Sequence, residues 1–437
     1  MSDAPSLVRP LEPRWQAVLD AVLRPMRRPE LSTKDVARLA PEVKALSLAY
    51  NSGQAEGRRT KLPLEARIAF SFPRDVPKGA AAVRELVASG ALTIPKDRPL
   101  RVLDLGAGLG AMTWGLARAL EASGASGRVE ALLVDEDEDV LERAAAIARE
   151  ARGAFRDSPI ELAVTTRRQS LSSAVDSPDA GFAARDVVIL GQVLSEVDPR
   201  SDPAARIESH AALLANVLRT MVASDGALVV VEPALRDRTR HLHTVRDRLL
   251  EAGSATVFAP CLHAATCPML AIDTEWCHED LPVDLPSWVV PLARAAGLRW
   301  QGLTFSYLVL RKDGRAPVSR LGPGKTRVRF RAVSDLLRSK GKTELFVCGE
   351  DAERRRIRRL DRDAGLESGV SFLDLRRGDI VTLSSAAEDS ARDGGPNPGP
   401  NLEVKTSSSD PPCAPIDERG RVAARVHGAI DVGAARK

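Results

Sequence analysis

Apolar positions recur at helical spacing through residues 9 to about 95. The stretch PRWQAVLDAVLRPMRR puts Trp15, Val18, Leu19 and Val22 on one face, which predicts a helix. Ser32 or Thr33 can cap a second helix over VARLAPEVKALSLAY. A third helical run, GAAAVRELVASG, stops at Gly90. From Arg101 the pattern changes. Short apolar runs (RVLDLG, VEALLVD, ELAVTT, DVVILG and ALVVVEP) alternate with helical stretches, and each predicts a strand buried on both faces of a parallel sheet. FSYLVLRK, near residue 308, predicts the last strand. Such alternation specifies an open, doubly wound α/β sheet. Further on, TRVRFRAV, ELFVCG and DIVTLS, separated by turn residues, predict a small β-rich module. Beyond about Ser385, DGGPNPGPNLEVKTSSSDPPCAP has too few apolar residues to fold and predicts a disordered tail. No internal repeat is found. The expected division is therefore 1–95 helical, 96–312 α/β with an inserted cysteine loop at 255–285, 313–384 basic and β-rich, and 385–437 tail.

Length supports more than one unit, since 437 residues exceed an ordinary single domain. Hydrophobic content of 44% suffices for a sizeable core, but aromatics make up only 4%, so Leu, Val, Ala and Ile must fill it. No apolar run is long enough to span a bilayer, and the N-terminus lacks the layout of a secretory signal. A soluble cytoplasmic protein without membrane contact is the expectation. Sequence gives no handle on its oligomeric state.

Local chemistry is concentrated in two places. The first is Val102-Leu103-Asp104-Leu105-Gly106-Ala107-Gly108-Leu109-Gly110, running straight into the helical AMTWGLARALEA. Alternate glycines permit a tight turn and close backbone approach to a ligand, with helix N–H groups facing it. The spacing D-x-G-x-G-x-G differs from the G-x-G-x-x-G of dinucleotide binders, which disfavours a nicotinamide enzyme. Asp135 ends the next strand, where a carboxylate can accept both hydroxyls of a ribose. Asp104 can face a ligand ammonium. Together these resemble the S-adenosylmethionine site of class I methyltransferases, with Asp104, Gly106, Gly108, Gly110 and Asp135 as cofactor-binding candidates. DVVILGQVLSE occupies the place of the Asn/Asp-Pro-Pro-aromatic tetrad of amino-methylating enzymes, and nothing like that tetrad is present. No catalytic residue is identified, so whether the chain is an enzyme stays open.

The second place is Cys261-x5-Cys267-x9-Cys277, in a loop-like stretch after the fifth strand, with Cys348 in the β-rich module and Cys413 in the tail. Five cysteines are few for a disulfide scaffold, and a reducing compartment would keep them as thiols. Three close thiolates plus one from afar suit a [4Fe–4S] cluster. They suit structural zinc equally, with His263 or His278 able to complete a Cys3His site. Cys261 as a nucleophile attacking a base, as in cytosine-C5 methylation, is a weaker reading because two further cysteines lie nearby.

Taken together, VLDLGAGLGAMTW, DVVILGQVLSEVD, VVVEPALRDRTRHLHTVRDRLL, APCLHAATCP…EWCHEDLP and FSYLVLRKD resemble a known family, as do LFVCGED and Arg377-Gly378-Asp379. It comprises the methyltransferase-like assembly factors of the mitochondrial small ribosomal subunit and their bacterial branch. The resemblance covers roughly residues 45 to 385. It implies a class I methyltransferase-type fold, S-adenosylmethionine, and a [4Fe–4S] cluster on Cys261, Cys267, Cys277 and Cys348. It also implies small-subunit rRNA as partner, with methyl transfer either retained or lost. The chain departs from the family at Leu262, where Pro is usual, and at Glu279, where an aromatic is common. RNA binding has separate support. Residues 311–342 hold eleven Lys or Arg against Asp313 and Asp335, a local charge of about +9. The eleven are Arg311, Lys312, Arg315, Arg320, Lys325, Arg327, Arg329, Arg331, Arg338, Lys340 and Lys342, and Arg354–Arg356 follow. Few aromatics are available for stacking, so backbone and shape recognition of folded RNA is expected.

Overall fold

The computed structural model describes residues 6–24, 32–52, 63–178, 180–199, 201–315, 327–361 and 372–385. It also describes strand segments at 402–405, 415–416 and 421–422. Helix α1 (Pro13–Leu23) buries the face that its spacing predicts: Trp15, Val18, Leu19, Val22 and Leu23. Ser32 caps α2 (Thr33–Ser52): its Oγ accepts the Asp35 N–H at 3.2 Å while the Asp35 carboxylate accepts the Ser32 N–H at 3.1 Å. A short helix α3 (Leu64–Ala66) and a π-helical turn (Arg67–Ser71) lead into α4 (Phe72–Ala88). The third helix therefore starts upstream of the GAAAV run. Pro73 stands just past the π-helical turn. The helix does end before Gly90, which has a positive φ of 65°.

Five parallel strands form the expected doubly wound sheet: β1 (Leu100–Leu105), β2 (Gly127–Asp135), β3 (Ile160–Arg168), β4 (Arg185–Gly191) and β5 (Val222–Glu232). Between them run α5 (Ala111–Ala122), α6 (Glu138–Ala154), α7 (Leu171–Asp176) and α8 (Pro203–Thr220), followed by α9 (Arg236–Glu251). Three more strands complete it: β6 (Thr256–Ala259), β7 (Glu279–Leu281) and β8 (Leu303–Arg311), with α10 (Val290–Ala295) before β8. The order is β3-β2-β1-β4-β5-β8-β6, with β7 on β8, and β8 is antiparallel to both β5 and β6. This is the class I methyltransferase arrangement of a Rossmann-like sheet.

One strand differs from its expectation. β3 is an edge strand with half-exposed positions, not one buried on both faces, as its Thr165, Thr166, Arg167 and Arg168 suit. FSYLVLRK is last in chain order, but β6 lies outside it in the sheet; four residues are too short a run for a pattern to reveal.

Alternation along the strands feeds two cores. Val102 of β1 and Val229 and Val231 of β5 join the layer under α1, α4, α5 and α6. Leu103, Leu105, Leu228 and Val230 point to the other layer, under α8 and α9. Helix α4 sits on α5 with backbone nearly touching: a Cβ at Gly115 would lie 2.3 Å from the Val76 carbonyl oxygen, and one at Gly79 2.6 Å from that of Met112. No larger residue fits at either point.

The expected β-rich module is a second sheet. It contains β9 (Arg327–Ala332), β10 (Leu337–Ser339), β11 (Lys342–Gly349), β12 (Arg354–Leu360) and β13 (Ile380–Ser385). Three tail segments pair onto it: β14 (Leu402–Lys405), β15 (Pro415–Ile416) and β16 (Arg421–Val422). The rest of the tail, with Cys413, lies outside the described residues. Among the described residues no helix is long and apolar enough to cross a membrane.

Candidate functional site: a glycine loop and a cysteine seam

The glycine loop follows β1, where the strand order reverses between β1 and β4. Ligands of open α/β sheets bind at such a crevice. Gly106, Gly108 and Gly110 have φ values of 68°, 54° and 79°, a left-handed run that side chains oppose. Gly110 also begins α5. The structure brings Asp135 to this loop: its Oδ2 accepts the Gly108 N–H at 2.8 Å and its Oδ1 the Asp137 N–H at 3.0 Å. Asp104 is enclosed at 1% exposure and accepts the Thr113 hydroxyl at 2.8 Å. Burial pushes its carboxyl up to about 7.

Three further residues converge here. Arg67, in the π-helical turn, brings its guanidinium to within 3.0 Å of where a Gly108 Cβ would stand. Gln192, just past β4, holds a left-handed φ of 61° without being glycine, the kind of backbone strain that clusters at sites. Glu232 ends β5, accepts the Leu194 N–H at 2.9 Å and is pushed up to about 7 by burial. A lone arginine inside the apolar stretch LEARIAFSF was the available signal for Arg67. Nothing local marked the other two.

The cysteine loop lies between β6 and β7. Two arginines of α9 hold it by its carbonyls. Arg246, fully buried, donates to the His263 and Ala265 oxygens at 2.6 and 2.8 Å. Arg240 donates to the Ile272, Leu270 and Glu275 oxygens at 2.8, 3.0 and 3.0 Å. Asp247 accepts the Cys267 N–H at 2.9 Å. Cys348 comes from β11 of the second sheet. Cys267, Cys277 and Cys348 share one small apolar cluster with Val333, and Cys261 borders the core beside α9. All four are free thiols. Burial, then the charges of Cys261 and Cys277, push both Cys267 and Cys348 well above the ordinary thiol range. His263 Nε2 lies 3.6 Å from Cys348 Sγ, whereas His278 stacks on Trp276. Among the described residues, no three His, Cys, Asp or Glu side chains stand at the spacing of a single metal ion. Arg246 falls within the apolar stripe of α9, with Leu242, Val245 and Leu249, and that misplaced charge was its sequence signal.

The basic stretch is less free than its charge implied. Arg311 is buried and pairs with Asp313, Arg329 pairs with Glu350, and Arg331 pairs with Glu85 at 2.8 Å. Arg354 pairs with Glu275 and lies 3.9 Å over the Phe346 ring. Arg338 and Lys340 are exposed. Arg320, Lys325 and the Arg327 side chain lie outside the described residues.

A family model described as mitochondrial small ribosomal subunit Rsm22 matches residues 66–365. No curated protein matches the chain. Among solved structures, an S-adenosylmethionine-dependent methyltransferase from Agrobacterium tumefaciens is 13% identical, with 55% of this chain and 62% of that one covered and a TM-score of 0.32. A Listeria monocytogenes protein described as a class I S-adenosylmethionine-dependent methyltransferase is 14% identical, with coverages of 68% and 86% and a TM-score of 0.32. The M. capricolum TrmK structure with S-adenosylhomocysteine is 7% identical, with coverages of 53% and 69% and a TM-score of 0.26.

Proposed function

Because the chain belongs to the Rsm22 family, we propose that it binds S-adenosylmethionine and a [4Fe–4S] cluster and acts on the small ribosomal subunit, as an rRNA methyltransferase or an assembly factor. The observation that carries this is the meeting of two loop cysteines, Cys267 and Cys277, with Cys348 of the other sheet. None of the four is in a disulfide, burial holds Cys267 and Cys348 in the thiol form, and soft metal ions reverse that by taking the thiolate. The donor set therefore fits the group, and Cys261, Cys267, Cys277 and Cys348 would hold it. When bound, a cluster would add folding energy and fix the joint between the two sheets.

At the other site, Gly106, Gly108 and Gly110 open the backbone to the amino-acid end of the cofactor, and Asp135 stands where the ribose hydroxyls would be accepted. Asp104, behind the loop, is placed to balance a ligand ammonium. No residue at the end of β4 supplies a base, so the chain's own part in this reading is to bind and orient.

The test is iron, acid-labile sulfide and zinc content of anaerobically purified protein, beside a Cys261→Ser variant. S-adenosylmethionine binding to an Asp135→Ala variant and co-sedimentation with small-subunit particles complete it. About four irons and four sulfides per chain, lost in the cysteine variant, together with particle binding, is the expected result. The alternative is a structural zinc site on the same cysteines. Stoichiometric zinc without sulfide would establish that instead and remove the cluster.

A further inference from the structure

The scarcity of aromatics led to the expectation of backbone and shape recognition of folded RNA over base stacking. The fold gathers three of them. Trp15 of α1 meets Trp114 of α5 at a ring-centroid distance of 4.8 Å and Phe155, just past α6, at 5.0 Å. They floor a cleft of about 580 Å³, inside the range of small-ligand sites. Trp15 and Trp114 are buried, and Phe155, half-buried, is the ring open to the cleft.

The rim is arginine-rich, and its charges fall into two groups. Arg9 pairs with Glu121 at 3.1 Å and Arg118 pairs with Glu12, so these close on themselves. Arg14, Arg152 and Arg156 also line the cleft, are exposed, and among the described residues form no ion pair. Glu161 is the acid left to oppose them. An aromatic floor under uncompensated guanidinium groups is the chemistry that accepts a base and its flanking phosphates.

We propose that this cleft takes an unpaired nucleotide of an RNA strand, its base against Phe155 and its phosphates on Arg14, Arg152 and Arg156. The site is separate from the glycine loop: α5 begins at that loop and ends, at Glu121, on this rim. The proposal rests on the reading of the protein as an RNA-engaging ribosomal factor and assigns the place of one contact.

The test uses the full chain with a single-stranded hexauridine probe, followed by anisotropy and by ultraviolet crosslinking with peptide mapping. A crosslink in the peptide holding Phe155 is expected. An Arg152→Glu/Arg156→Glu double variant, altered only at the surface, should weaken binding about tenfold or more and flatten its salt dependence by about two contacts. Phe155→Ala should weaken it roughly tenfold. Co-sedimentation with small-subunit particles is measured in parallel. Particle binding with hexauridine affinity unchanged in the double variant, or with crosslinks mapping elsewhere, overturns the cleft and leaves the ribosomal reading standing. Loss of both probe and particle binding in the parent protein overturns both.

Discussion

The glycine loop and the cysteine seam are two sites of opposite construction. The loop takes its backbone and its carboxylate from two neighbouring parallel strands, β1 and β2, and Gly108 and Asp135 lock directly to each other. The seam takes its thiols from two different sheets, and α9 holds its loop by the carbonyls. A local site fails locally. A joint between sheets transmits its failure to both. The largest expected effect is therefore at the seam: Cys261→Ser should lose metal and lower the melting temperature by about 10 °C or more. It should leave S-adenosylmethionine affinity within a small factor of the parent. Calorimetry beside a cofactor titration checks this, and an unchanged melting temperature would mean that the seam is not a joint.

The same boundary carries a buried ionic network, next in expected size. Arg331 of β9 and Tyr307 of β8 both donate to Glu85 of α4 at 2.8 Å, and Arg84 pairs with Glu279 of β7. Removing one partner leaves a buried charge uncompensated, so Arg331→Ala should cost about 3–5 kcal/mol in urea denaturation. An Arg331→Met/Glu85→Leu pair should recover part of that loss, because no charge is left behind although the Tyr307 hydroxyl loses its acceptor. A double variant as unstable as the single would show that shape, not charge, holds the sheets together here.

This contrast also explains what could be read without a structure. The glycine loop was legible because its parts are contiguous and its conformation is a property of glycine itself. The cysteines were legible as a set through their density, and Cys348 could be assigned to the ELFVCG strand, but the packing of that strand against the loop was not legible. The charge run misled for the same reason. Composition counts Arg311, Arg329 and Arg331 as basic surface, and only packing reveals that each faces a carboxylate. Edge position misled for β3, since period and apolar content do not say which strand lies outermost. The aromatic floor was invisible because Trp15, Trp114 and Phe155 lie far apart in the chain.

Titration sharpens the local side of the comparison. Burial raises the Asp104 carboxyl from 3.8 to about 7 in the folded protein, so the native state holds its proton where the unfolded chain has released it. That contribution is complete below about pH 4 and is lost as pH rises through 7. Asp104→Asn keeps the hydrogen-bonding shape without the titration. Relative to the variant, the parent should lose up to about 4 kcal/mol between pH 4 and pH 7. Denaturant midpoints across that range measure it, and parallel curves for the two proteins would place Asp104 in water. Histidines held near 4, such as His210 and His241, run the other way in both proteins and cancel in the difference.

The smallest expected effect on stability separates the two halves of the charge run. Arg331 is locked in the joint, whereas Arg338 and Lys340 are exposed around the turn between β10 and β11. An Arg338→Glu/Lys340→Glu variant should therefore change unfolding free energy by no more than about 0.5 kcal/mol. If these side chains meet rRNA phosphates, the variant should still bind small-subunit particles more weakly at every salt concentration, with a salt slope reduced by about two. The seam variants should do the reverse, losing stability first and particle binding only as the second sheet loosens. Equal particle affinity for parent and charge-reversed protein would remove this turn from the interface and leave the cleft at Arg14, Arg152 and Arg156 as the basic surface to test.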